Sequence, residues 1–167
     1  VKSVGMCAFE SVALDNVTIY TENLEIIKDR AFEWSGVRRV KFIADRNLVG
    51  VKQINLGQYC FADCDRLIEV DIHKGIDVVG GKGVFSACAN LDIVNLGDTS
   101  IVPHSAFLNC EALSTIDITD VKEVRDMAFA GTGLRYVITD ATKIGAYAFS
   151  KTPLQKFVGK NVGCVGD

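Results

Sequence analysis

The chain has 167 residues, of which 49% are hydrophobic and 23% charged, with mean hydropathy +0.22. A segment of that composition buries a sizeable core, which excludes intrinsic disorder. Its 18 basic and 21 acidic side chains leave a net charge of −3, so the electrostatic drive toward nucleic acid or an anionic membrane is missing.

The chain opens on Val1 with no basic leader and apolar run behind it, so no signal peptide is expected at this end. No uncharged apolar stretch approaches the roughly 18 residues of a spanning helix, so membrane insertion is not expected either. The last residues, Val162 to Asp167, break off within a pattern. The segment therefore reads as one repeat array, 1–167, from a longer protein.

That pattern starts at Phe9 and returns at Phe32, Phe61, Phe85, Phe107, Phe129 and Phe149, with spacings of 23, 29, 24, 22, 22 and 20 residues. Seven of the nine Phe share this register. Each is preceded by a small residue: Ala8, Ala31, Cys60, Val84, Ala106, Ala128 and Ala148. Five residues ahead of the Phe stand Val4, Ile27, Leu56, Val102, Val124 and Ile144. The fourth repeat departs, with Val79 six residues ahead and Gly80-Gly81-Lys82-Gly83 reading as a bulged turn that absorbs one extra residue.

After each Phe an apolar triplet follows with the period-2 spacing of a half-buried strand at its end. The triplets are Leu14/Val17/Ile19, Val37/Val40/Phe42, Leu67/Val70/Ile72, Leu91/Val94/Leu96 and Leu113/Ile116/Ile118. The sixth, Leu134/Val137, weakens at Thr139, and the seventh, Leu154/Phe157, weakens at Gly159. A second apolar pair, such as Val121/Val124 or Ala141/Ile144, leads into the next Phe. A unit of about 23 residues cannot bury its own stripe, but stacked coils can. The periodicity predicts one short strand per coil in a parallel sheet, with the Phe rings stacked into a spine.

The run Ala106-Phe107-Leu108-Asn109-Cys110-Glu111-Ala112-Leu113-Ser114-Thr115-Ile116-Asp117-Ile118 resembles the repeat unit of the BspA-like, or Treponema pallidum-type, leucine-rich repeat family. Ile144-Gly145-Ala146-Tyr147-Ala148-Phe149 is similar to the other half of that unit, and the likeness covers about residues 4–158. The resemblance implies a right-handed, curved solenoid of about seven repeats. A parallel sheet would line its concave face, with short turns, 3₁₀ segments or minor strands on the convex face. It also implies a cell-surface or secreted protein engaged in adhesion, without assigning any residue a role.

Candidate chemistry is sparse. His104 and Ser105 are adjacent and are not expected to face each other as base and nucleophile, so the pair reads as a surface turn. The glycines at 80–83 lack the spacing of a phosphate loop. Cys64, Cys88 and Cys110 recur three residues after their Phe. Thr132 and Thr152 stand nearly in the same place, which predicts a packing column of reduced thiols. The spacing of the six Cys completes no zinc site, so no metal and no cofactor is expected. Asn16-Val17-Thr18 is a glycosylation sequon at the frequency chance alone would give.

The outward side of the sheet is the candidate site. Alternation places Arg38, Arg39 and Lys41 on repeat two, Glu69 and Asp71 on repeat three, and Asp92 and Asn95 on repeat four. Repeat five adds Thr115 and Asp117, repeat six Arg135, Tyr136 and Ile138, and repeat seven Lys156. The loop carrying Asp45, Arg46 and Asn47 is a second candidate, since extra residues in a repeat map to loops. The expected function is non-catalytic binding of another protein at the cell surface or after secretion. The alternative is a cytoplasmic scaffold segment of a larger regulatory protein. Oligomeric state stays open.

Overall fold

The structure, a computed structural model, describes residues 1–45, 47, 49–159 and the backbone of 164–165. In chain order the strands are β1 (Ser3–Val4), β2 (Asn16–Tyr20), β3 (Ile26–Ile27), β4 (Arg39–Ile43), β5 (Lys52–Leu56), β6 (Glu69–Ile72) and β7 (Ile76–Gly80). They continue as β8 (Ile93–Asn95), β9 (Ile101–Val102), β10 (Glu123–Val124), β11 (Tyr136–Thr139), β12 (Lys143–Ile144), β13 (Lys156–Gly159) and β14 (Cys164–Val165). All pairings are parallel, and together they wind a solenoid of about seven turns.

The coils build two ladders rather than one, although the coil after Phe107 joins the concave one only through the bridge from Ile118 to Thr139. The concave sheet runs β2-β4-β6-β8 and resumes as β11-β13. The second runs β1-β3-β5-β7 and then β9-β10-β12-β14. Its strands hold the second residue of each apolar pair that leads into a Phe, such as Val124 of Val121/Val124. They form because the inward residue of each two-residue strand is buried under the next coil. Among the described residues no helix forms, and the convex side is built of turns and this second sheet.

In the concave sheet the predicted alternation holds. Val17, Val40, Val70 and Val94 align in one inward row, and Ile19, Phe42 and Ile72 in another. Thr139, where the sixth triplet weakens and the earlier coils carry Ile, Phe or Leu, is fully buried. Its hydroxyl donates to the Ile118 carbonyl at 3.2 Å and accepts from the Ala141 N–H at 3.1 Å, so the polar atom is satisfied inside the core.

The Phe rings form the expected column. The six successive pairs from Phe9 to Phe149 have centroids 4.8–5.6 Å apart and ring planes within 4–16° of parallel. Burying one such ring contributes about 1.5–3 kcal/mol, and an aromatic pair adds roughly 0.5–1.5 kcal/mol. Phe42 meets Phe61 edge-on at 6.5 Å, which ties the concave sheet to the spine.

The spine turns form a third ladder. In every coil from Phe9 to Phe129, the N–H groups at the Phe and two residues either side donate to carbonyls of the next coil. For Phe32 these are Arg30 to Gln58, Phe32 to Cys60 and Trp34 to Ala62, at 2.8–3.0 Å. The geometry demands left-handed backbone two residues before and two after each Phe, with φ between 51° and 71°. Most of those residues are not glycine, at about 1–2 kcal/mol each, and the inter-coil bonds and ring burial offset that cost.

The fourth repeat corrects the expected bulge. Gly80 pairs with Leu56 within an unbroken ladder from Lys52/Ile76 to Leu56/Gly80, so no residue is inserted. Gly80, not Val79, holds the inward slot, and Val79 points outward. A Cβ on Gly80 would meet Pro103 Cγ at 2.7 Å, because that proline from the next coil fills the missing side chain's space. The second sheet breaks here. Side chains replace the ladder: Thr99 Oγ1 accepts from the Val78 N–H and Asp77 Oδ1 from the Ser100 N–H, both at 3.2 Å.

Candidate functional site

Register on the concave sheet creates two outward rows. The first joins Asn16, Arg39, Glu69 and Ile93, and the second joins Thr18, Lys41, Asp71 and Asn95. The bridge from Ile118 to Thr139 carries the rows on, through Thr115 and Asp117 to Tyr136 and Ile138. Lys156 then pairs with Tyr136 and Val158 with Ile138. Arg38, Asp92 and Arg135 sit one residue ahead of the rows, exposed along their rim.

Adjacent coils neutralise the charges of repeats two and three. Arg39 Nε lies 3.1 Å from Glu69 Oε2, and Lys41 Nζ lies 3.5 Å from Glu69 Oε1 and 3.6 Å from Asp71 Oδ2. Asn95 Nδ2 donates to Asp71 Oδ1 at 3.2 Å. Exposed pairs of this kind contribute about 0–1 kcal/mol each, so they set the surface potential more than the stability. The basic side chains of repeat two and the acidic ones of repeat three therefore interlock as one nearly neutral patch.

Repeats four to six differ. Ile93, in the row of Arg39 and Glu69, is 57% exposed, Tyr136 57% and Ile138 50%. These three, with Thr115, Ile116 and Asp117, line an open hollow of about 560 Å³. The hollow lies where the concave sheet lapses: residues 115–117 belong to no strand, and Ile118–Thr139 is an isolated bridge. Asp117 accepts from the Thr119 N–H at 3.0 Å and hydroxyl at 2.7 Å, which holds its carboxyl below the ordinary range. The Tyr136 hydroxyl donates to Gln155 Oε1 at 3.2 Å. Sequence reasoning missed Ile93 through a one-residue slip. Counting from Glu69 along the shared register reaches Ile93, whereas Asp92 falls on the rim.

Other candidates resolve plainly. Ser105 Oγ and His104 Nδ1 lie 2.8 Å apart, so the adjacent residues do face each other, against expectation. The backbone at Ser105 is left-handed, and the residue is buried within the turn. Cys64, Cys88 and Cys110 are buried, and each thiol donates at 3.1 Å to the carbonyl of the preceding coil's Phe. Burial pushes the Cys110 thiol up to about 12 and raises Cys88 well above its ordinary value. Among the described residues no three His, Cys, Asp or Glu side chains are grouped to hold a metal ion, and no helix is long and apolar enough to cross a membrane. In the second candidate loop Asp45 Oδ1 accepts from the Asn47 N–H at 2.9 Å, and Arg46 lies outside the described residues.

Stacked parallel coils, a Phe spine and an open sheet face define a leucine-rich-repeat solenoid. The chain belongs to the BspA type leucine rich repeat family, whose pattern matches in six copies over residues 1–79 and 46–155. A leucine-rich repeat protein from Bacteroides ovatus is similar over 99% of this chain and 49% of its own, at 18% identity and TM-score 0.73. A leucine rich cell surface protein from Faecalibacterium prausnitzii is similar over 87% of this chain and 47% of its own, at 19% identity and TM-score 0.52. The chain thus spans about half the length of these two proteins. No curated protein matches it.

Proposed function

We propose that the chain is a non-catalytic protein-interaction module of a cell-surface or secreted adhesion-type protein. Its partner docks on the concave sheet. The observation that carries this reading is the pair of outward rows, from Asn16 and Thr18 to Lys156 and Val158, held in register across successive coils. Seven coils at about 4.8 Å spacing offer roughly 30 Å of ribbon, the span of a standard protein interface. Arg38, Arg39, Lys41, Glu69, Asp71, Asp92, Asn95, Asp117, Arg135, Tyr136 and Lys156 supply polar contact, and Ile93 and Ile138 add apolar area. Membership of the family and likeness to the Faecalibacterium surface protein support the surface location.

The test immobilises the full chain and measures its binding to a panel of purified extracellular-matrix and bacterial surface proteins. The comparison is a folded Asp71→Lys/Asp92→Lys/Asp117→Lys variant. The reading predicts at least one saturable, salt-sensitive partner whose affinity falls about tenfold or more in the variant. No saturable partner, or binding indifferent to the three reversals, contradicts it.

A further inference from the structure

Three observations converge on repeats four to six. The concave ladder lapses at residues 115–117, opening the hollow of about 560 Å³ beside β8 and β11. Its walls present Ile93, Tyr136 and Ile138, three bulky side chains at least half exposed, in rows whose members in repeats one to three are all polar or charged. Asp92 and Asp117 border it, and among the described residues no cation lies within 4 Å of either carboxylate. On β6, the strand next to β8, Glu69 and Asp71 are already engaged by Arg39 and Lys41. The free negative charge of the ribbon therefore gathers around its apolar hollow.

We infer that this hollow is the anchor point of the proposed interaction face, and that it takes an extended polypeptide segment of a partner protein carrying a bulky aliphatic or aromatic side chain beside a lysine or arginine. The apolar group fits between Ile93, Tyr136 and Ile138, where the aromatic ring supplies large contact area at low entropic cost. The basic group lies over Asp92 and Asp117, neither of which is ion-paired among the described residues, with Asp117 held in place by Thr119. Arg135, on the rim of β11, repels a second cation and so orients the basic end toward β8. The ion-paired patch of repeats two and three makes no comparable offer, because a ligand charge there must first displace an internal partner. This inference rests on the interaction face proposed above.

The probe is a phage-displayed library of random twelve-residue peptides panned against the full chain. A synthetic peptide of the most enriched sequence is then titrated by fluorescence polarisation. The expected result is enrichment of Lys or Arg next to Leu, Ile, Phe, Tyr or Trp. Affinity should fall at least about tenfold in Tyr136→Ala, and as much in Asp92→Asn/Asp117→Asn with loss of salt dependence. Lys28→Ala/Lys122→Ala, which alters two exposed residues beside the second sheet, should leave it within about twofold, and matched unfolding midpoints should show that every variant is folded. No enrichment, enrichment without basic residues, or binding indifferent to Tyr136→Ala overturns the inference. Enriched peptides of another chemistry that still depend on Tyr136 overturn it while leaving the interaction face standing. Failure of the protein panel overturns that face itself.

Discussion

The Cys88 thiol donates at 3.1 Å to the carbonyl of Phe61 in the preceding coil, so the sulfur column and the aromatic spine are one bonded unit. Cys64 to Phe32 and Cys110 to Phe85 repeat the contact. Thr132 and Thr152, at the same offset in the shorter repeats, instead bond the carbonyls of their own Phe129 and Phe149, at 2.8 and 2.7 Å. A carbonyl beside each of these rings thus receives a side-chain donor from the +3 position, by one of two routes.

Burial of the Cys110 thiol makes stability depend on alkaline pH. The folded-state value of Cys110 is raised from 9.0 to about 12, so the folded chain holds a proton there that the unfolded chain loses. Its contribution is complete below pH 9 and falls by roughly 1.4 kcal/mol per pH unit between 9 and 12. Urea unfolding across that window should show the decline, and Cys110→Ala should make it shallower, leaving the part that the buried Cys88 and Cys60 contribute. At pH 8 an aromatic disulfide reagent should leave Cys88 and Cys110 unmodified until the protein unfolds.

The left-handed turn positions respond to substitution in opposite directions. Gly131 has φ of 71°, and a Cβ there would meet Asn109 Oδ1 at 2.5 Å. Gly131→Ala is expected to cost about 1–2 kcal/mol. Met127 occupies the other left-handed site of the same coil with φ of 55° and is partly exposed. Met127→Gly is therefore expected to change stability by less than about 1 kcal/mol, because relief of the turn offsets the added chain entropy. Equal losses in the two variants, by denaturant unfolding, would argue against the turn geometry.

Gly80 and Pro103 are predicted to be energetically coupled. Gly80→Val drives methyl groups into Pro103 and should cost about 1–3 kcal/mol. In a Pro103→Gly background the space opens and the same change should cost less, with an interaction energy of about 1 kcal/mol or more. Additive losses would contradict the register that pairs Gly80 with Leu56.

Much of the fold was legible because ring spacing, strand alternation and the small residue before each Phe are side-chain properties with a fixed period. The left-handed turns were not, since Arg30, Trp34, Tyr59 and Met127 carry no local preference for that backbone and are held there by bonds to the next coil. The register at Gly80 misled because an inward glycine looks like an insertion until Pro103 is seen filling its space. The site was legible as a face but not as a pattern of charge. Alternation finds Arg39, Lys41, Glu69 and Asp71 pointing outward, yet only the cross-coil register shows them paired. The hollow depends on the lapse at 115–117, where Thr115, Ile116 and Asp117 keep a strand-like alternation that the structure does not convert into a ladder.

The most direct test of the stacked spine compares Phe107→Ala with Phe9→Ala by urea unfolding. Phe107 is buried between Phe85 and Phe129, with centroids at 5.5 and 5.4 Å, whereas Phe9 has one stacked neighbour and is 39% exposed. The account predicts a loss of about 3–5 kcal/mol for Phe107→Ala and less than half of that for Phe9→Ala. Similar losses at the two positions, or a small loss at Phe107, would contradict a column of rings that runs through the coils.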